Sequence, residues 1–137
     1  MTYALGAALQ TALYETLSAD AVLSDLVAGA IFDAVPESAP DLFVALGPER
    51  AVGRSDISGQ GAVHEFRISV VTRRGGYHAA KTAGARISDL LSTGGLDLSR
   101  GRVVSLRFLR ADAKRDEGEG TRRIDLRFRA RLDDQDL

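Results

Sequence analysis

An α+β fold is what the 137-residue sequence predicts: an antiparallel or mixed four-stranded sheet with helices packed on one face, in the order ααββαββ. Three observations carry this prediction. Leucines recur at i, i+4 near the start, the spacing of a helix with one buried face. Three later segments alternate apolar and polar residues with a period of two, the mark of strands with one face in a core. A single helical stripe separates two groups of strands, an order that gives a helix layer on an antiparallel or mixed sheet.

Each element has its own justification. Leu5, Leu9, Leu13 and Leu17, with Ala8, Ala12 and Tyr14 widening the stripe, predict a helix over about 3–18. Ser18 and Asp20 offer N-cap oxygens for a shorter helix, ADAVLSDLVAG, with Val22, Leu23, Leu26 and Val27 facing inward and Gly29 free to turn left-handed after Ala28. IFDAV (31–35) is a short extended piece not counted as a strand, and Pro36 and Pro40 keep the next loop out of helix. LFVALG (42–47) reads as a strand buried on both faces and ending at Gly-Pro. AVGRSDISGQGA then reads as a long mobile loop. VHEFRISVVT (63–72) alternates Phe66, Ile68 and Val70 with Glu65, Arg67 and Ser69. After Gly75-Gly76, Tyr77, Ala80, Ala83, Gly84, Ile87, Leu90 and Leu91 form a helical stripe that closes before Gly94-Gly95. Two strands finish the chain, with Val104, Leu106 and Phe108 on the apolar side of one and Ile124, Leu126, Phe128, Ala130 and Leu132 on that of the other. DEGEG (116–120) turns between them, making a long hairpin with one apolar and one basic face.

A chain of this length is expected to form one domain over residues 1–137, with a core large enough to need no staples. The absence of Cys excludes disulfides, thiolate catalysis and the common structural zinc sites. The first twenty residues lack a basic n-region and read as an amphipathic helix rather than a signal peptide, and no stretch has the apolar length of a membrane span. The net charge of −1 hides a segregation. Residues 1–62 carry 2 Arg against 8 acids, and residues 63–137 carry 16 Lys or Arg against 11. Opposite surpluses of this kind suit either a nucleic-acid face or charge pairing between copies of one subunit.

Catalytic and ligand motifs are weak. His64 and His78 have no second His or Cys at metal-ligand spacing and read as surface residues. No GxSxG, HExxH, GxxxxGK[ST] or GxGxxG run occurs, which disfavours an enzyme, and no cofactor is expected. Asp112, Asp116, Glu117 and Glu119 crowd the hairpin tip without calcium-loop spacing and read as a solvated turn. The strongest chemical feature is the hairpin's basic face, to which Arg102, Arg107, Arg110, Lys114, Arg115, Arg122, Arg123, Arg127, Arg129 and Arg131 contribute. Guanidinium groups sharing a face can neutralise phosphates or pair with carboxylates of a neighbour, and the lack of interleaved aromatics disfavours stacking on single strands.

The ordered segments LQTALYETLSADAVLSDLVAGAIFDAVP, LFVALG, HEFRISVVTRRGGYHAAKTAGARISDLL and GRVVSLRFLRADAKRDEGEGTRRIDLRFRARL, with TRRGGYHAAK among the most specific, carry a resemblance. From about Leu9 to Leu132 the chain resembles the tail-completion proteins of bacteriophages and prophages, including copies in the gene transfer agent clusters of alphaproteobacteria. It departs from many relatives in having Val71-Thr72 where they carry an aromatic before the R-x-GG turn.

The resemblance implies a non-enzymatic tail terminator. Its subunits form a ring, typically a hexamer, that caps the head-proximal end of the tail tube, stops tube polymerisation and docks the head connector. A basic strand face turned toward the lumen would tolerate passing DNA without reading its sequence, and no membrane partner is expected. On that reading the protein is a particle component assembled in the bacterial cytoplasm. Arg107, Arg127, Arg129 and Arg131 are candidates for the subunit interface or the lumen. Arg54 and Asp56 in one loop, and Lys114, Arg115, Glu117 and Glu119 at the hairpin tip, are candidates for segments that order on assembly. The alternative is a module that binds nucleic acid without sequence preference through the basic hairpin.

Overall fold

In the computed structural model, which describes residues 3–54, 61–93, 95–116 and 120–134, the leucine stripe folds as α1 (Gly6–Ala19). Leu5, Leu9, Leu13 and Leu17 are all buried, each contributing about 1.5–3 kcal/mol of apolar transfer. Tyr14 does not join them: it lies on the outer flank of the stripe and is exposed. Asp20 ends α1 in extended backbone and caps α2 (Ala21–Val27), its carboxylate accepting the Leu23 N–H at 2.9 Å. A helix of seven residues is too short to hold itself, and α2 is fastened by buried Leu23 and Val27 and by Arg86, which grips Asp20 with two bonds of 2.9 and 2.7 Å. Val22, expected to face inward, is 51% exposed, because Leu23 and Val27 already fill the inner face at i, i+4. Ala28 ends the helix at φ 52°, with Gly29 following at φ 71°.

The sheet has five strands in the order β1-β2-β3-β5-β4, one more than expected. The additional one is β1 (Ile31–Phe32), parallel to Val44 and Ala45 of β2 (Leu42–Arg54). The intervening Pro-containing loop makes this parallel return: Ala39 packs with Ala30, Phe43 and Val71 in a small second core, and Arg73 stacks on Phe43 while donating to the Ala39 carbonyl. β2 does not stop at Gly47-Pro48. It bulges between Leu46 and Glu49 and continues to Arg54. Because β1 covers only Val44 and Ala45, Pro48 lies at a bulge on an open edge, where a missing N–H is tolerated.

β3 (Gly61–Thr72) pairs antiparallel with β2 up to Arg54↔Gly61, so the expected loop 52–62 is strand at both ends; residues 55–60, with Asp56, lie outside the described residues. β5 (Arg122–Asp133) runs between β3 and β4 (Arg102–Arg115), antiparallel to both. The hairpin tip is likewise shorter than expected. Lys114 and Arg115 pair with Arg123 and Arg122, and the Asp116 N–H donates to the Thr121 carbonyl, while Glu117 and Glu119 lie outside the described residues.

All three helices pack on one face, α1 and α2 toward β1 and β2, and α3 (His78–Thr93) over β3, β5 and β4. Ala62, Phe66, Ile68 and Val70 of β3 and Ile124, Leu126, Phe128, Ala130 and Leu132 of β5 meet them there. β4 follows its predicted alternation less closely, since bulges at Val103/Ser105 and Phe108/Arg110 leave Val104, Phe108 and Leu109 exposed at the edge.

Candidate interaction surface

The alternation that buries one face of β3 and β5 sets the charges on the other. Strand pairing arranges them in rows across β3, β5 and β4: Glu65–Arg129–Arg107, then Arg67–Arg127–Arg110, then Ser69–Asp125–Asp112, then Val71–Arg123–Lys114. Arg131 continues the β5 column beside Val63 and Ser105, and Arg50 of β2 stands opposite Glu65. Among the described residues ten cations on this open face, Arg50, Arg67, Arg102, Arg107, Arg110, Lys114, Arg123, Arg127, Arg129 and Arg131, meet four carboxylates, Glu65, Asp112, Asp125 and Asp133. Arg107, Arg127, Arg129 and Arg131 thus come together on one side of the sheet. Lys114 joins them, Arg115 stands at the end of β4, and Arg54 is the last residue of β2.

Cations this dense repel one another, and Asp125 is the counterweight. Its side chain is 2% exposed, accepts from the Ser69 hydroxyl at 2.6 Å and from Arg123 Nε at 3.1 Å, and has Lys114 at 3.4 Å and Arg67 at 3.9 Å. Burial is the largest single influence and pushes its carboxyl upward. The Ser69 and Arg123 hydrogen bonds and the charges of Arg123 and Arg67 together outweigh it, so the group lies below its ordinary value. Gly47 has no side chain beside Arg67; a Cβ there would lie 3.0 Å from Arg67 Nε. Glu65 plays a similar part nearer the surface. Arg129 reaches its Oε1 at 2.7 and 3.3 Å, and that hydrogen bond, aided by the charges of Arg129, Arg50 and Arg127, lowers its pKa.

The remaining positive charge is available to a partner. Arg107 and Arg115 make no hydrogen bond or ion pair among the described residues, and Arg127 Nε is buried with no hydrogen-bond acceptor. On the helix side Phe66 stacks on Phe128 and Phe108 meets the Phe128 ring edge-on, so no ring from these strands interleaves the cations. The face can hold phosphates or carboxylates by charge; it has no platform for stacking bases.

One polar cluster, built around a buried histidine, was not legible beforehand. His64 is fully buried, not on the surface as expected, because it shares the helix-side alternation of Ala62 and Phe66 and sits between Ala51 and Ala130. Its Nδ1 lies 2.8 Å from Glu49 Oε2, Tyr3 donates its hydroxyl to Glu49 Oε1 at 2.6 Å, and the Tyr3 ring stacks over the imidazole at 6.0 Å. The bulge at Gly47-Pro48 aims Glu49 inward, and no local sequence signal reports that. His78 opens α3 and is exposed. No group of three or more His, Cys, Asp or Glu suited to hold a metal occurs among the described residues, and no helix there is long and apolar enough to cross a membrane.

Similarity to known proteins is extensive. The sequence profile of the family described as tail completion protein gp17 matches residues 11–133. A chain in a solved structure described as the virion of a native gene transfer agent particle is 52% identical and superposes with a TM-score of 0.90, covering 96% of this chain and 99% of that one. A second solved structure, 12% identical, has the same fold at a TM-score of 0.66 and covers 96% of this chain and 98% of that one. Comparison with curated protein sequences gives no significant match. With the profile spanning nearly the whole chain and the whole fold shared with a virion component, the chain belongs to the tail completion protein gp17 family and is a structural protein of a phage-like tail.

Proposed function

We propose that the protein is a tail terminator of a gene transfer agent or prophage particle. Copies form a ring, six in number, that caps the head-proximal end of the tail tube, stops its polymerisation and joins it to the head connector. The observation that carries this reading is the 52% identity, over nearly the full length of both chains, to a component of a native gene transfer agent virion. Segregated charge supports it, because a head-to-tail ring brings different surfaces of adjacent copies together. The open basic face supports a further part of the reading, that DNA leaving the head passes this surface. Cations without a stacking platform hold phosphates without reading sequence.

The test is imaging of particles made with and without the gene, scoring tail length and head attachment. Overlong or headless tails in its absence, rescued by the gene in trans, are the expected result. Normal, infectious or transducing particles would refute the terminator reading. The basic open face would then favour the second reading, a nucleic-acid-binding module without sequence preference.

A further inference from the structure

The two edges of the sheet are chemically opposite. No Lys or Arg occurs before Arg50, so α1, α2, β1 and the 33–41 loop are built without a cation of their own. Glu15, Asp25 and Glu37 are exposed there and make no ion pair or hydrogen bond among the described residues, and beside them in sequence Tyr14, Val22 and Val35 are exposed as well. Asp25 and Val22, at i, i+3 on α2, share its outer surface.

The far edge is β4, whose outer side has no strand partner among the described residues. It carries Arg102, Arg107, Arg110, Lys114 and Arg115 against Asp112 alone. Between β4 and α3 runs an apolar trough of about 340 Å³, with Ala85 and Ser88 on one wall, Phe108 and Ala111 on the other, Leu126 as floor and Lys81 at the rim. The trough exists because α3 presents Gly84, Ala85 and Ser88 toward the sheet's last strand, side chains too short to cover it. One edge therefore presents apolar side chains among carboxylates, of which Asp20 and Asp41 are paired with Arg86 and Arg74, and the other an apolar recess with Lys81 at its rim, beside a strand whose Arg107, Arg110 and Lys114 lie on the opposite face of the sheet.

We propose that the occupant of this trough is a second copy of the chain: the acid-rich surface of one subunit, formed by α2 and the 33–41 loop, seats on the trough and basic β4 edge of the next. This proposal rests on the ring reading and specifies its contact. A two-fold dimer built on either edge would set like charges against each other. Joining unlike edges is heterologous, and such contacts propagate from copy to copy until the rotation closes them.

The sequence supplies a probe, since its only lysines are Lys81, at the rim of the trough, and Lys114, on β4. Purified particles are treated with a zero-length carbodiimide, which couples amines to touching carboxylates. Copies per tail are counted by quantitative mass spectrometry, and linked peptides are mapped. Expected are a ladder of chain multimers and links from Lys81 to carboxylates within residues 15–41 of another copy. Lys81→Arg keeps the charge and removes the reactive amine, and is expected to abolish those links. Several copies per tail without such links, or with Lys81 joined to carboxylates outside 15–41 of a neighbour, would overturn this contact and leave the ring reading standing. One copy per tail would remove the ring reading itself.

Discussion

Asp125→Ala tests whether the open face is held together by one buried carboxylate. Truncation removes the acceptor of the Ser69 hydroxyl and the counter-charge facing Arg123, Lys114 and Arg67. Breaking a buried ion pair costs about 3–5 kcal/mol. Here the cationic partners are 25–54% exposed and rehydrate in part, so the lower end, about 3 kcal/mol, applies. At roughly 4 °C per kcal/mol for a chain of this size, the melting temperature falls by about 12 °C. Asp125→Asn keeps an acceptor for Ser69 and loses only the charge, and is expected to fall roughly half as far.

Thermal unfolding of the purified chain and both variants, followed by circular dichroism at neutral pH and repeated in acid, reads the effect. The folded pKa of Asp125 lies below its unfolded value. Its contribution is therefore complete above the unfolded value and lost as pH falls through the folded one. The gap between the native chain and Asp125→Asn is expected to narrow on acidification. A change under about 2 °C for Asp125→Ala at neutral pH, or a native-to-Asn gap that persists in strong acid, would refute the reasoning.

Three further outcomes follow from the same geometry. Asp20→Ala removes a helix cap and the Arg86 ion pair, each contributing about 1 kcal/mol, so melting falls by roughly 8 °C. The Arg86 hydrogen bond, and then the Leu23 N–H, hold that carboxyl down at about 2, so this difference is full above the ordinary value of 3.8 and fades as pH falls through about 2. Ala28→Gly relieves a left-handed C-cap at φ 52° and is expected to raise stability by about 0.5–1 kcal/mol in denaturant titration. Arg127→Glu with Arg129→Glu reverses two charges on the open face, and any binding of duplex DNA, steeply salt-dependent in the native chain, is expected to drop at least tenfold in a titration at low salt.

What the sequence disclosed was what repeats locally. The Leu9, Leu13, Leu17 stripe and the alternation through Phe66, Ile68 and Val70 fix helix and strand by their period, and the resulting burial is as expected. The basic face was legible for the same reason, since Arg127, Arg129 and Arg131 alternate with core residues. Features that depend on a distant partner were not. Ile31–Phe32 is a strand only because Val44–Ala45 lies beside it, and β2 passes through Gly47-Pro48 only because that edge needs no N–H there. His64 looks like any strand-start polar residue until a bulge delivers Glu49 and the N-terminal segment delivers Tyr3. The trough is an absence of side-chain volume between α3 and β4, and no sequence period records an absence.

The terminator account is tested most directly by finding this chain in intact particles, through cryo-electron microscopy of tails carrying a tagged copy. It predicts a single closed ring of the tagged subunit, at the junction of tube and head connector and nowhere else along the tail. Tagged copies distributed along the tube, or confined to the end distant from the head, would contradict it.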